Sequence, residues 1–173
     1  MLKLVKPSRA YEGPIREMLE DWFSREAMED ITPIAIARLD YHDFDNYCAN
    51  LDIPADTGDL VPDSTFFCID EERNRAVGAV NIRHRLNERL LRCGGHIGDG
   101  VRPTDRGQGI GTKMVALALE ECRKLGIYRV LMVCDKDNIA SAKTIQRNGG
   151  VLENEIEEDG FLEQRYWITL PER

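Results

Sequence analysis

The feature that most constrains this chain is the stretch from Gly98 to Met114, GDGVRPTDRGQGIGTKM, where Gly107, Gly109 and Gly111 occupy alternate positions behind Arg106. Glycine weakens the interior of a helix or strand by up to about 1 kcal/mol relative to alanine, so three within five residues serve something other than local stability. They fall where a strand, His96 to Val101, gives way to a helix with Met114, Val115, Leu117, Ala118, Leu119, Cys122 and Leu125 on its apolar face and Gly126 as its C-cap. A helix start offers unpaired N–H donors and the positive end of a macrodipole, which stabilises an anion by about 0.3 to 2 kcal/mol. Glycine lets the backbone approach a pyrophosphate, and Arg106 adds a fixed positive charge. The stretch is built to hold a diphosphate.

Around it the chain reads as alternating elements. Leu2 to Val5 is a short strand, and YEGPIREMLEDWFSRE (11–26) carries a helical stripe at Ile15, Met18, Leu19, Trp22 and Phe23, with Pro14 in the first turn. A second helix is expected over Leu39 to Leu51, before the turn-rich IPADTGDLVPDS. Thr65 to Asp70 and Ala76 to Arg83 are two strands in tight connection, and the polar RHRLNERLLRCGG follows as a connection. YRVLMVCD has the continuous apolar run of a strand buried on both sides. DNIASAKTIQRNGG is a short helix with Asp137 or Asn138 as N-cap and Gly149 or Gly150 as its stop, and the tail is a hairpin turning at Asp159-Gly160.

At 173 residues, 42% hydrophobic and 31% charged, the chain is expected to fold as a single domain over residues 1–173. Without a membrane-length apolar run or the long apolar core of a signal peptide, no membrane partner and a cytoplasmic location are expected. The five cysteines are widely spaced with no CxxC pair, so no metal is expected and they read as reduced filler. A net charge of -8 argues against nucleic acid, whose binding needs clustered lysine and arginine. It would suit steering of a cationic substrate.

Two glycine-rich phosphate motifs fail on register. A Walker A loop starting at Gly107 would need glycine where Thr112 stands, with Lys113 followed by serine or threonine rather than Met114; a dinucleotide GxGxxG also meets Thr112 in place of its third glycine. What remains is R-x-x-G-x-G at Arg106, Gly109 and Gly111, behind a strand ending in VRP. This segment resembles the acetyl-CoA binding segment of the GNAT superfamily of N-acetyltransferases, and the likeness runs on through YRVLMVCD to Asn138. The first half of the chain fits in element order only.

The resemblance implies an α/β (α+β) GNAT acyl-CoA N-acyltransferase fold: a mixed, twisted, mostly antiparallel sheet flanked by helices. It implies acetyl-CoA as co-substrate, bound by Gly100, Val101, Arg106, Gly107, Gln108, Gly109, Ile110, Gly111, Thr112, Asn138 and Lys143. The acceptor would be a primary amine of a small molecule or peptide, attacking the thioester directly, and the superfamily makes a homodimer an open option. A backbone N–H of the strand ending at Val101 would act as oxyanion donor, where the fourth and fifth strands of this fold splay apart.

Two positions depart from the family. The glutamate often proposed as base would fall near Gly95, which has no side chain, leaving His96 and Asp99 as candidate bases; strand alternation points them to opposite faces. The tyrosine often found seven residues after the helix-opening asparagine is Ile145, so either Tyr166 substitutes as acid or the thiolate leaves unaided. These departures keep a second reading open, a CoA-binding sensor or scaffold with impaired catalysis. A nucleotide-binding protein of another fold is a third. RHRLN at Arg83 to Asn87 is either a solvated connection or the lining of an acceptor pocket, in which case its charge suits a carboxylate-bearing acceptor.

Overall fold

The computed structural model describes residues 1–24 and 31–172. Strand β1 (Leu2–Val5) leads into helix α1 (Glu12–Phe23) and, further on, α2 (Phe44–Asn50). Then come β2 (Asp63–Asp70), β3 (Arg75–Arg83), α3 (Glu88–Arg92), β4 (Ile97–Val101), α4 (Ile110–Lys124), β5 (Arg129–Asp135), α5 (Ile139–Arg147) and the hairpin β6 (Val151–Glu158) with β7 (Phe161–Thr169). Residues 25 and 26 of the expected first helix lie outside the described residues.

The strands form two antiparallel sheets, β1-β2-β3-β4 and β5-β7-β6. Strand β3 is buried on both faces because α1 packs on one and α4 on the other. One core joins Val80, Ile82, Met114, Val115, Val130, Met132, Ile145 and Tyr166 under α4 and α5. The other joins Ile15, Trp22, Phe44, Tyr47 and Phe67 under α1 and α2. Gly126 and Gly149 follow α4 and α5 with φ of +75° and +89°, and Asp159 and Gly160 both take positive φ, as a tight hairpin turn requires.

Three sequence expectations need correction. The second helix starts at Phe44 rather than Leu39, because the Asp43 carboxylate accepts from Asn46 N (3.2 Å) and sets the cap there. The connection after β3 contains α3, capped by Asn87, whose side chain accepts from Leu90 N (2.9 Å). The fourth strand begins at Ile97, one residue later than expected; His96 donates its N–H to Leu131 O while its carbonyl accepts from Arg83 N of β3.

Candidate active site

Strands β4 and β5 are neighbours that belong to different sheets. They are tied at one end, where His96 N donates to Leu131 O (2.8 Å) and Leu131 N donates to His96 Nδ1 (2.9 Å). No ladder continues from there, so the two strands border a gap. Arg83 N to His96 O (2.7 Å) and Arg102 N to Val77 O (2.8 Å) fix which β4 residues bond to β3. By the alternation of an antiparallel ladder, the N–H groups of Asp99 and Val101 face away from β3, into the gap. The Asp99 carbonyl confirms the direction by accepting from Thr32 Oγ1 (3.1 Å).

Beyond the gap the turn into α4 is pinned by charge. Arg102, 4% exposed, donates to Asp21 (2.7 Å) and Glu17 (3.2 Å), while buried Asp105 accepts from Arg73 (2.7 Å) and Arg75 (3.1 Å). The glycines then shape the helix start. Gly107 and Gly109 take φ of +78° and +74°, and a Cβ on either would point into open space. No side chain caps α4, whose first-turn amides have no intrahelical acceptor. Gly111 brings this helix start close to α5, its Cβ position 3.5 Å from Thr144 Oγ1. By contrast α5 is capped by Asn138, which accepts from Ser141 N (3.1 Å).

These parts enclose a cavity of about 850 Å³. Asp99 and every residue assigned to the coenzyme from sequence line it except Gln108, which faces a separate groove beside Lys113 and Met1. The anion-attracting groups at the cavity are the uncapped start of α4 with Arg106 and Lys143, joined by Arg147. The last was not anticipated, because it is one more charge on a polar helix face. Thr32 also lines the cavity, and nothing local in the sequence ties it to a strand 67 residues away.

The catalytic candidates separate. The half-buried Asp99 carboxylate has no hydrogen-bond or ion-pair partner among the described residues, and burial pushes its pKa up to about 6. His96 is buried outside the cavity lining; burial, with the nearby Arg83 charge, lowers it to about 4, so at neutral pH it is the neutral acceptor that Leu131 N requires. Tyr166 is buried in the core away from the lining, donating to Gln164 Oε1 (2.8 Å) and accepting from Gln146 (3.4 Å). At Gly95 a Cβ would fall 2.4 Å from Leu131 O, so that position excludes any side chain. Ile145 is fully buried core. Among the described residues no group of histidine, cysteine, aspartate and glutamate is placed to hold a metal ion, and no helix is long and apolar enough to cross a membrane.

Comparison with known proteins agrees with this architecture. A glucosamine 6-phosphate N-acetyltransferase of Arabidopsis thaliana is 32% identical over 83 residues, which are 44% of this chain and 54% of that protein, so the match spans about half of the relative's length. Among solved structures, a ribosomal L7/L12 alpha-N-protein acetyltransferase in complex with coenzyme A superposes with a TM-score of 0.66 at 17% identity, covering 98% of this chain and 94% of that one. A GNAT-family acetyltransferase from Bacillus anthracis gives 0.64 at 17% identity, covering 97% and 94%. These two likenesses establish the shared fold. The family model described as Acetyltransferase (GNAT) family matches residues 16–150, a span that takes in most of α1, the gap, the glycine turn and α5, and the chain belongs to that family.

Proposed function

We propose that this chain is an N-acetyltransferase that uses acetyl-CoA to acetylate a primary amine of a small molecule or peptide, with Asp99 as the general base. The observation that carries the reading is a carboxylate, unpaired among the described residues and with its pKa near 6, on the wall of the same cavity that receives the uncapped start of α4. The residues fit the coenzyme: main-chain amides from Gly107 to Thr112, with Arg106 and Lys143, would hold its diphosphate, and Asn138 also lines the cavity. Acetyl-CoA supplies an activated acetyl carbonyl and a thiolate able to depart without an acid, which suits a cavity that neither Tyr166 nor Ile145 lines. The N–H groups of Asp99 and Val101 provide main-chain donors in the gap. Asp99 is ionised above its pKa and takes the proton from the acceptor ammonium, directly or through one water.

Release of free thiol from acetyl-CoA across a panel of amines tests this. Turnover is expected to rise through about pH 6 as Asp99 ionises. Asp99→Asn should lower kcat/KM by about 10² to 10⁴ with CoA affinity little changed. An unchanged rate in that variant removes Asp99 as base. Stabilisation by CoA with no turnover of any amine would instead favour the sensor or scaffold reading, which Gly95 and Ile145 motivate.

A further inference from the structure

We propose that Arg147 binds the 3′-phosphate that CoA carries on its ribose, so that the chain distinguishes CoA from dephospho-CoA, the same molecule without that group. This rests on the reading of the cavity as a CoA site. Helix α5 turns one stripe to the cavity, formed by Ala140, Lys143, Thr144 and Arg147 at helical spacing. Two contacts fasten the stripe beside the first turn of α4. Asn148 Nδ2 donates to Thr112 O (3.1 Å), and the Cβ position of Gly111 lies 3.5 Å from Thr144 Oγ1. Arg147, directly before Asn148, therefore stands beside the uncapped start of α4.

What sets Lys143 and Arg147 apart is charge left uncompensated. On a chain of net charge -8, exposed arginines elsewhere meet acids: Arg9 pairs with Glu12 and Asp45, Arg73 with Asp70 and Asp105, and Arg92 with Glu158. Lys143 and Arg147 are exposed too, yet neither has an acidic partner or a side-chain hydrogen bond among the described residues. Helix α5 itself contains no acid. Of the carboxylates that line the cavity, Asp105 is held by Arg73 and Arg75, and Asp99 sits in the gap. Asp135 precedes the first turn of α5, about 12 Å of helix axis from Arg147. Like charges at i and i+4 destabilise a helix, and the macrodipole accounts for one cation in the last turn but not for two on the side that faces the cavity.

CoA carries negative charge in two places. Its diphosphate would be held by the start of α4 with Arg106 and Lys143, which leaves Arg147 for the second. Only three ribose carbons separate the oxygens that bear the diphosphate and the 3′-phosphate, so a group that reads the latter has to flank the diphosphate site. Arg147 does, and its planar fork suits a phosphate dianion. Lys113, also in the first turn of α4, lines the separate groove with Gln108.

Calorimetric binding of CoA and of dephospho-CoA tests this. The unaltered protein is expected to bind CoA at least about fivefold more tightly. Arg147→Gln should bring that ratio close to one by weakening CoA, with dephospho-CoA affinity changed by less than about twofold. Arg147→Lys, which keeps the charge and loses the fork, should retain part of the selectivity, and Lys113→Gln should leave it intact. Arg147 is exposed, so its replacement leaves the core untouched. No selectivity in the unaltered protein, selectivity that survives Arg147→Gln or vanishes in Lys113→Gln, or an equal loss of both ligands in Arg147→Gln overturns the proposal; the last would put Arg147 on the diphosphate. Binding of neither ligand overturns the CoA reading and the proposal with it. Selectivity that depends on Arg147, without turnover of any amine, upholds the proposal and overturns the enzymatic reading alone.

Discussion

The two ends of the gap between β4 and β5 make opposite use of polar groups. At the His96 end each is satisfied: imidazole nitrogen, backbone amides and carbonyl meet within 3 Å, and a neutral histidine completes the set. At the Asp99 end, three residues on, a carboxylate has no partner among the described residues, two amides face the gap, and α4 begins without the side-chain cap that α2, α3 and α5 all possess. Buried polar groups left unmade cost about 1 to 3 kcal/mol each, so a fold tolerates such a cluster where something else comes to fill it. The difference separates a histidine bonded into the fold from the aspartate proposed as base, though both lie on one short segment.

The sharpest way to break this comparison is Gly109→Glu, which sets a carboxylate and its bulk at the open end. CoA affinity should fall by more than about a hundredfold, since an anion is repelled where one was stabilised. Calorimetry checks it, and wild-type affinity would sink the assignment of the open end. Next, His96→Ala removes the acceptor of Leu131 N and should lower unfolding free energy by about 1 to 3 kcal/mol in denaturant titrations. Its native pKa lies below the unfolded value, so the wild-type stability linked to it is present above about pH 6.5 and is lost as pH falls toward 4.

Asp99→Asn should move stability the other way. The native pKa is raised, so ionisation costs the fold free energy above pH 6; the variant should gain on the order of 2 kcal/mol at pH 8, fading to little below pH 4. No gain at pH 8 would mean that the carboxylate has a partner. The smallest effect is expected for Asn138→Ala, which removes the cap of α5 and should cost about 1 kcal/mol in thermal or chemical melts. That loss would be the price of uncapping the helix that the chain does choose to cap.

Much of this was legible in the sequence because it is local. The glycine turn, the Asn138 cap, the Asp159-Gly160 hairpin and the order of strands all follow from spacing over fewer than twenty residues. Helix α3 was not, since its five residues bury only Leu90 and give no periodicity to read. The choice between His96 and Asp99 was also closed to local reasoning. It depends on Leu131 and on which strand edge lacks a neighbour, and both are set by tertiary pairing.

Strand β4 is held to β5 by the backbone and imidazole of His96 at its near end, while charge pairs at Arg102 and Asp105 fasten the turn at its far end. Anchored at both termini, the strand keeps its aperture before any guest arrives, so ordering is completed during folding rather than on encounter. Affinity for a guest therefore need not be spent on prying the two sheets apart.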